Sequence, residues 1–217
     1  MTLRKFDVSI SQNSIDDLHS RLSSIRWSND YGNIDGRYGV KSSWLQSVVE
    51  YWNSEYDWVI TQNKINSYPQ FCVEIDELVV HFVHVRSDRT NSMPIILTHG
   101  WPWSFWDWKD VLDELMGTDD PPFDIIIPSL PGFGFSSPLL KSGIGVREIA
   151  KVWHVLMRDI LGYRKFAVAG GDWGSLVSAE LAHAYPESIL GVHLTLPLLP
   201  GISVADLSDA CFSSDEQ

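Results

Sequence analysis

The first seventy residues carry apolar side chains at helical spacing. One stripe begins after Ser14, and Asp17 stands three places beyond that serine, as in a capping box. A second stripe follows a similar cap at Ser43, and the polar, glycine-rich segment 31–39 between the two stripes predicts a loop. The stripes consist of Ile15, Leu18, Leu22 and Ile25, and of Trp44, Leu45, Val48, Val49 and Trp52. The region 1–70 is therefore predicted to be helical.

From residue 70 onward the pattern becomes that of a sheet. Segments 71–75 and 78–85 predict two strands joined by a turn at Asp76 and Glu77. Short, continuous apolar runs, which are typical of strands buried on both faces, then alternate with helical patterns. The runs are 94–98, 124–127, 165–169 and 189–196, and the helices are 147–161, capped by Gly162, and 174–184. Strands that alternate with helices predict the α/β class, with a mostly parallel sheet and helices on both faces.

The composition excludes several classes of function. Sixteen Lys and Arg residues against 28 Asp and Glu residues give a net charge of -12, which disfavours binding to nucleic acid or to an anionic membrane surface. No secretory signal is readable in the first residues and no run of about eighteen apolar residues occurs, so we expect neither a secretory signal nor a transmembrane helix. Two cysteines, Cys72 and Cys211, are too few for a disulfide framework or a zinc site. We expect a soluble, cytoplasmic protein that binds neither nucleic acid nor membrane and uses no metal or cofactor.

One glycine-rich segment, 170–174, lies between a predicted strand and a predicted helix. Its sequence, Gly-Gly-Asp-Trp-Gly, has the form of a nucleophile elbow, G-x-nucleophile-x-G, of the α/β-hydrolase fold. The turn is so tight that its flanking positions must lack side chains, and the middle residue, Asp172, is held in a strained conformation. A carboxylate attacks carbon without a base and forms an ester that can then be hydrolysed. For this pattern taken alone, Asp172 as an N-cap of the helix remains the alternative.

A second motif, His-Gly-Trp-Pro at residues 99–102, follows the strand 94–98. In this fold the loop faces the nucleophile, so that the N–H of Trp101, together with that of Trp173, would form an oxyanion hole. Two motifs at this separation favour catalysis by Asp172 over the N-cap. We expect the imidazole of residue 99 to orient the loop rather than to act as a base. The predicted site is Asp172 with an oxyanion and pocket wall made of His99, Gly100, Trp101, Pro102, Trp103 and Trp173.

With these motifs the chain resembles the epoxide hydrolases of the microsomal and juvenile-hormone type, in which a characteristic N-terminal region precedes an α/β-hydrolase domain. The matching stretches are Tyr51–Trp58, Ile65–Phe71, Ile75–Asp76, His81–Ser87, His99–Pro102, Pro128–Ser136 and Gly170–Ser175. At Trp103 the family usually has Gly, so this residue adds bulk beside the oxyanion loop. The chain then divides into the N-terminal region 1–70, the first part of the hydrolase domain at 71–200, and a tail, 201–217, that we expect to be disordered.

The resemblance also implies a mechanism. Asp172 would open an epoxide by backside attack, two tyrosines of a cap domain would hydrogen-bond the epoxide oxygen, and a His–acid pair would activate water to release a diol. After Asp172, however, the sequence contains only one tyrosine, Tyr185, and two histidines, His183 and His193. At helical rise His183 lies about 16 Å from the elbow, and His193 lies in a strand, where we predict a core imidazole. The base, its acid partner, the cap tyrosines and the last strands are therefore not found in this sequence.

Three interpretations remain open. The first is the N-terminal part of an epoxide hydrolase that is truncated before its cap, acts on a small apolar epoxide and does not turn over alone. The second is an enzyme in which Asp172 is a general acid or base for epoxide opening or cyclisation, with haloalkane dehalogenase as a related option. The third is a non-catalytic pseudoenzyme or interaction module, whose bare edge strand 189–196 pairs with a second copy or with a complementing chain.

Overall fold

The computed structural model describes residues 2–118 and 121–195, and these residues form two units. The smaller unit is residues 7–67, and the larger unit combines residues 2–6 with the described residues from 68 onward. The tail predicted at 201–217 lies outside the described residues.

The smaller unit is helical, as predicted, but its helices begin at other residues. Ser11 rather than Ser14 caps the first helix, because its hydroxyl accepts the N–H of Ser14 at 3.2 Å. The second helix begins after Lys41, which makes no side-chain capping bond, so the cap predicted at Ser43 is also wrong. The helices are α1 (Gln12–Ser23), α2 (Ser42–Ser54) and α3 (Trp58–Asn66), of which α3 was not predicted.

The extended segment at the start of this unit, around Val8 and Ile10, is held by hydrogen bonds to side chains rather than by pairing with another strand. Asn66 accepts the N–H of Val8 and donates to its carbonyl oxygen, both at 2.8 Å, and Gln62 accepts the N–H of Ile10 at 2.8 Å. The apolar stripe of α2 is largely solvent-exposed, with Trp44 58% exposed.

The larger unit is built on a seven-stranded sheet with the order β1-β2-β3-β5-β4-β6-β7. Its strands are β1 (Arg4–Phe6), β2 (Gln70–Ile75), β3 (Leu78–Val85), β4 (Met93–Thr98), β5 (Phe123–Pro128), β6 (Phe166–Gly171) and β7 (Ile189–Thr195). Because β3 is antiparallel to both β2 and β5, and β4 to β7 pair in parallel, five strands run in one direction. The predicted α/β class with a mostly parallel sheet is confirmed, whereas β1 was not predicted.

Helices connect the parallel strands of the larger unit. They are α4 (Lys109–Met116), which follows a 3-10 turn at Phe105–Trp108, α5 (Val146–Val155), which continues as a π-helical turn at Leu156–Ile160, and α6 (Trp173–Ala184). Gly162 adopts φ +80°, as its predicted capping role requires. Helix α5 places Trp153, which is fully buried, in the core against the sheet. None of the helices in the described parts of the chain is long and apolar enough to cross a membrane.

Strand β7 is the last strand of the sheet within the described residues. It pairs in parallel with β6, and its Leu190 and Val192 are 51% and 47% exposed. His193 is also exposed. The prediction of a core imidazole at His193 is therefore wrong, because no described element covers that side chain. Pairing of this edge with another chain stays a prediction.

The strand order determines where a site can form. Strands β5, β4 and β6 are parallel neighbours, so their carboxyl ends meet at one edge of the sheet. In open α/β sheets, ligands bind in the crevice outside these ends. The loops that begin at residues 99, 129 and 172 all leave from this edge.

Candidate active site

Asp172 stands at the turn between β6 and α6 in a conformation that side chains rarely adopt. Its φ is +53° and its ψ is -124°, and it is half-buried. Such a conformation is strained for a residue with a Cβ and persists only where the surroundings enforce it. This is the strained elbow that the sequence predicted.

Close backbone packing explains the glycines on either side of the elbow. A Cβ on Gly170 would lie 2.2 Å from the carbonyl oxygen of Gly174, and a Cβ on Gly174 would lie 2.0 Å from that of Thr98. A third glycine, Gly171, faces the hydroxyl of Thr195, which a Cβ would approach to 2.9 Å. The glycines thus allow α6 to begin directly against the ends of β4 and β6.

The hydroxyl of Ser175 ties the first turn of α6 to the sheet. It lies 2.8 Å from the carbonyl oxygen of Gly170 and 2.5 Å from that of Thr195. One side chain therefore joins β6, β7 and α6 immediately behind the elbow. Sequence reasoning did not assign a role to Ser175 or Thr195, although each lies one residue inside the end of a predicted element.

The loop after β4 supplies a hydrogen bond to the elbow. The N–H of Trp101 donates to Oδ1 of Asp172 at 2.9 Å. This approach depends on Gly100, where a Cβ would lie 2.6 Å from both the Cβ and the Oδ1 of Asp172. The structure thus brings together the two motifs that the sequence singled out.

His99 is buried beside this loop and is fully engaged. Its Nε2 accepts the N–H of Leu130 at 3.0 Å, and its Nδ1 donates to the carbonyl oxygen of Gly100 at 2.9 Å. Burial lowers the pKa of His99, while the bond to Gly100 and the charge of Asp107 act in the opposite direction. These contacts support the predicted loop-orienting role. Leu130 was missed, although it lies only three residues after the predicted strand 124–127, which is parallel to β4.

The indoles near the elbow are open to solvent. Trp101, Trp103 and Trp173 are 62%, 51% and 48% exposed. Trp173 is the first residue of α6, so its N–H is among those without an intrahelical acceptor. Pro102 and Trp103 line a groove of about 330 Å³ with Ser104, Trp106, Asp107 and Lys109. The oxyanion role of Trp173 and the pocket roles of Pro102 and Trp103 stay predictions.

The two histidines of β3 belong to buried networks. His81 contacts the hydroxyl of Ser129 at 2.9 Å and Oε1 of Gln70 at 3.1 Å, and burial lowers its pKa to about 3. Burial lowers the pKa of His84 to about 4, and its Nε2 lies 3.0 Å from the hydroxyl of Tyr163. Both rings are therefore neutral members of the core.

Three further histidines and Tyr185 lie on elements other than the elbow loops. The ring of His154, on α5, stacks on that of Tyr185 with centroids 3.7 Å apart. His183 is exposed near the end of α6, about 16 Å from Asp172 at helical rise. His19 contacts Asn53 within the smaller unit. Within the larger unit, neither His154 nor His183 is placed to activate water at Asp172.

Comparison with known proteins agrees with the fold. The model described as "Epoxide hydrolase N terminus" matches residues 3–108, and the model described as "alpha/beta hydrolase fold" matches residues 93–215. Epoxide hydrolase 1 of Oryctolagus cuniculus and juvenile hormone epoxide hydrolase 2 of Ctenocephalides felis are both 34% identical to this chain. The first match covers 91% of this chain and 46% of the relative, and the second covers 93% and 44%.

A solved structure is similar over nearly all of this chain. The epoxide hydrolase of Aspergillus niger matches with a TM-score of 0.84 and 35% identity, over 97% of this chain and 57% of that one. The chain thus spans about half the length of the curated relatives that it matches.

Proposed function

Because the chain belongs to the alpha/beta hydrolase fold family and carries the epoxide hydrolase N terminus, we propose that it is the nucleophile-bearing part of an epoxide hydrolase, with Asp172 as the nucleophile. The observation that carries this proposal is the hydrogen bond from the Trp101 N–H to Oδ1 of Asp172, made at an elbow where the aspartate is held with positive φ. A helix cap alone requires neither the facing loop nor the close approach of Gly100.

The first step is attack on an epoxide carbon. The N–H of Trp101 holds Oδ1 of Asp172, which leaves Oδ2 free to attack. A bond forms between Oδ2 and the carbon, the carbon–oxygen bond of the ring breaks, and its electron pair moves to the epoxide oxygen. That oxygen takes up a proton from water, and the product is a hydroxyalkyl ester of Asp172.

The second step is hydrolysis of that ester. Water adds to the ester carbonyl, loses a proton to solvent, and the negative charge develops on Oδ1 of Asp172. The N–H of Trp101 already donates to this oxygen, and the N–H of Trp173, at the start of α6, is the proposed second donor. Collapse of the intermediate breaks the bond between Cγ and Oδ2 of Asp172, so that Oδ2 leaves with the substrate as an alkoxide. The alkoxide takes up the proton of the resulting carboxylic acid and is released as a diol, and the carboxylate is restored.

The surface around Asp172 suits a small apolar epoxide. The indoles of Trp101, Trp103 and Trp173 present aromatic surface on both motifs. Hydrolysis needs a base, however, and His81, His84, His99 and His154 are held in contacts of their own. We therefore expect this chain to form the ester faster than it releases a diol.

The test is the intact mass of the protein after incubation with styrene oxide. We expect one added epoxide, assigned to Asp172 by peptide mapping, and no addition in Asp172→Asn. Asp110→Asn, which removes a carboxylate that is 79% exposed, serves as the matched control and is expected to label like the parent. Absence of an adduct, or an equal adduct in Asp172→Asn, would reject the proposal. Diol formation without entry of labelled water oxygen into Asp172 would instead support general acid or base chemistry.

A further inference from the structure

Two hydrogen bonds meet at opposite ends of a single peptide group. Nδ1 of His99 donates to the carbonyl oxygen of Gly100, and the N–H of Trp101 donates to Asp172, each at 2.9 Å. The Gly100 carbonyl and the Trp101 N–H belong to the same peptide bond. The imidazole therefore contacts the candidate nucleophile through one backbone group.

The other ring nitrogen determines the protonation state of His99. The N–H of Leu130 donates to Nε2 at 3.0 Å, so Nε2 must be an acceptor and cannot carry a proton. The ring is therefore neutral, with its proton on Nδ1. Burial supports this state, since His99 is only 1% exposed and its pKa is lowered.

We propose that His99 is a positioning residue that polarises the Gly100–Trp101 peptide through Nδ1–H and so strengthens the Trp101 N–H as the donor to Asp172. A hydrogen bond accepted by a carbonyl makes the N–H of the same peptide group a better donor, and such chains of bonds strengthen one another by roughly 10–30% per bond. Leu130, on the loop after β5, fixes the ring so that only Nδ1 can donate. The inference rests on the proposed function in one respect: Asp172, which accepts the Trp101 N–H, is taken to be the nucleophile.

The first measurement is nitrogen-15 NMR of the full chain at neutral pH, without any epoxide. We expect the His99 imidazole in one neutral form with Nδ1 protonated, and the amide proton of Trp101 shifted downfield. A ring that is protonated on Nε2, or that carries two protons, would overturn the inference.

Two variants then separate the two bonds of the ring. His99→Asn places an amide N–H near the position of Nδ1 and loses the acceptor for Leu130, whereas His99→Gln keeps an acceptor near Nε2 and loses the donor to Gly100. We expect the Trp101 amide proton to move upfield in His99→Gln and to stay nearer its parent position in His99→Asn. An unchanged Trp101 resonance in a folded His99→Gln protein would contradict the inference.

The chemistry gives a second readout. If styrene oxide labels Asp172, we expect the adduct to hydrolyse roughly three- to tenfold more slowly in His99→Gln than in His99→Asn, because the donor to the developing oxyanion is weakened rather than removed. Equal lifetimes in the two variants would overturn the inference. Failure to label Asp172 at all would reject the proposed function, while the NMR result would still decide the role of His99.

Discussion

The N–H of Trp101 and the carboxylate of Asp172, 71 positions apart in the sequence, are joined by a hydrogen bond of 2.9 Å. The sheet makes this contact possible, because β4 and β6 are parallel neighbours with Thr98 opposite Gly170. Both strands end at the same edge of the sheet, so the loop that follows β4 meets the turn that follows β6. Glycine at positions 100 and 174 allows the two backbones to come this close.

Replacement of Gly100 by Ala tests this contact directly. The new Cβ would lie 2.6 Å from the Cβ of Asp172, so the loop must move and the bond from Trp101 must lengthen or break. We expect hydrolysis of the Asp172 ester to slow by about 100-fold, as for loss of one oxyanion donor. Gly191→Ala is the matched control, since nothing lies within 4 Å of a Cβ there. Mass spectrometry of adduct decay measures both, and decay of Gly100→Ala at the parent rate would refute the prediction.

Replacement of Gly174 by Ala tests the packing of α6 against β4. Its Cβ would lie 2.0 Å from the carbonyl oxygen of Thr98, and neither backbone can yield as the end of a side chain could. Overpacking of this kind costs about 1–3 kcal/mol, and we expect a loss of at least 2 kcal/mol in the free energy of unfolding. Urea unfolding, with Gly191→Ala again as the control, measures it. A variant as stable as the parent would show that the approach is not tight.

Replacement of Asp172 by Gly and by Ala measures the strain at the elbow. Both variants lose the carboxylate and its bond to Trp101, but only glycine adopts φ +53° without a steric penalty. Strain of this kind amounts to about 1–3 kcal/mol, and the greater freedom of unfolded glycine offsets part of it. We expect Asp172→Gly to be about 1 kcal/mol more stable than Asp172→Ala in urea unfolding. A more stable alanine variant would rule out a strained elbow.

The sequence predicted those parts of the fold that local patterns determine. The continuous apolar runs located β4, β5 and β6, because a strand buried on both faces needs apolar residues at every position. The same pattern located β7, although β7 is largely exposed within the described residues. Asp76 and Glu77, predicted as a turn, both adopt positive φ between β2 and β3. The three-residue strand β1 was missed, since Arg4–Phe6 carries no pattern long enough to detect and is defined by its pairing with β2.

The sequence predicted those parts of the candidate site in which a local motif determines the backbone geometry. It missed the residues whose role depends on contacts between segments that are distant in the sequence. The glycines around Asp172 indicated the elbow because a tight turn demands them. Leu130 acts through its backbone N–H, which any residue except proline would supply, so its identity gave no signal. The exposure of His193 depends on which elements cover the strand, and strand periodicity does not contain that information.

Acid destabilisation should begin near neutral pH because of the buried histidines of β3. The pKa values of His81 and His84 are lowered by burial to about 3 and about 4, whereas the unfolded chain has the ordinary value of about 6.5. As the pH falls below about 6.5, the unfolded chain takes up protons that the folded protein does not, so stability present at higher pH is lost. By about pH 5, which is about 1.5 units below the unfolded value, each ring has lowered the free energy of unfolding by roughly 2 kcal/mol, because each pH unit contributes about 1.36 kcal/mol. Urea unfolding between about pH 7 and about pH 5 is expected to show this decline, with a shallower slope in His81→Gln. A free energy of unfolding that stays constant over this range would contradict the prediction.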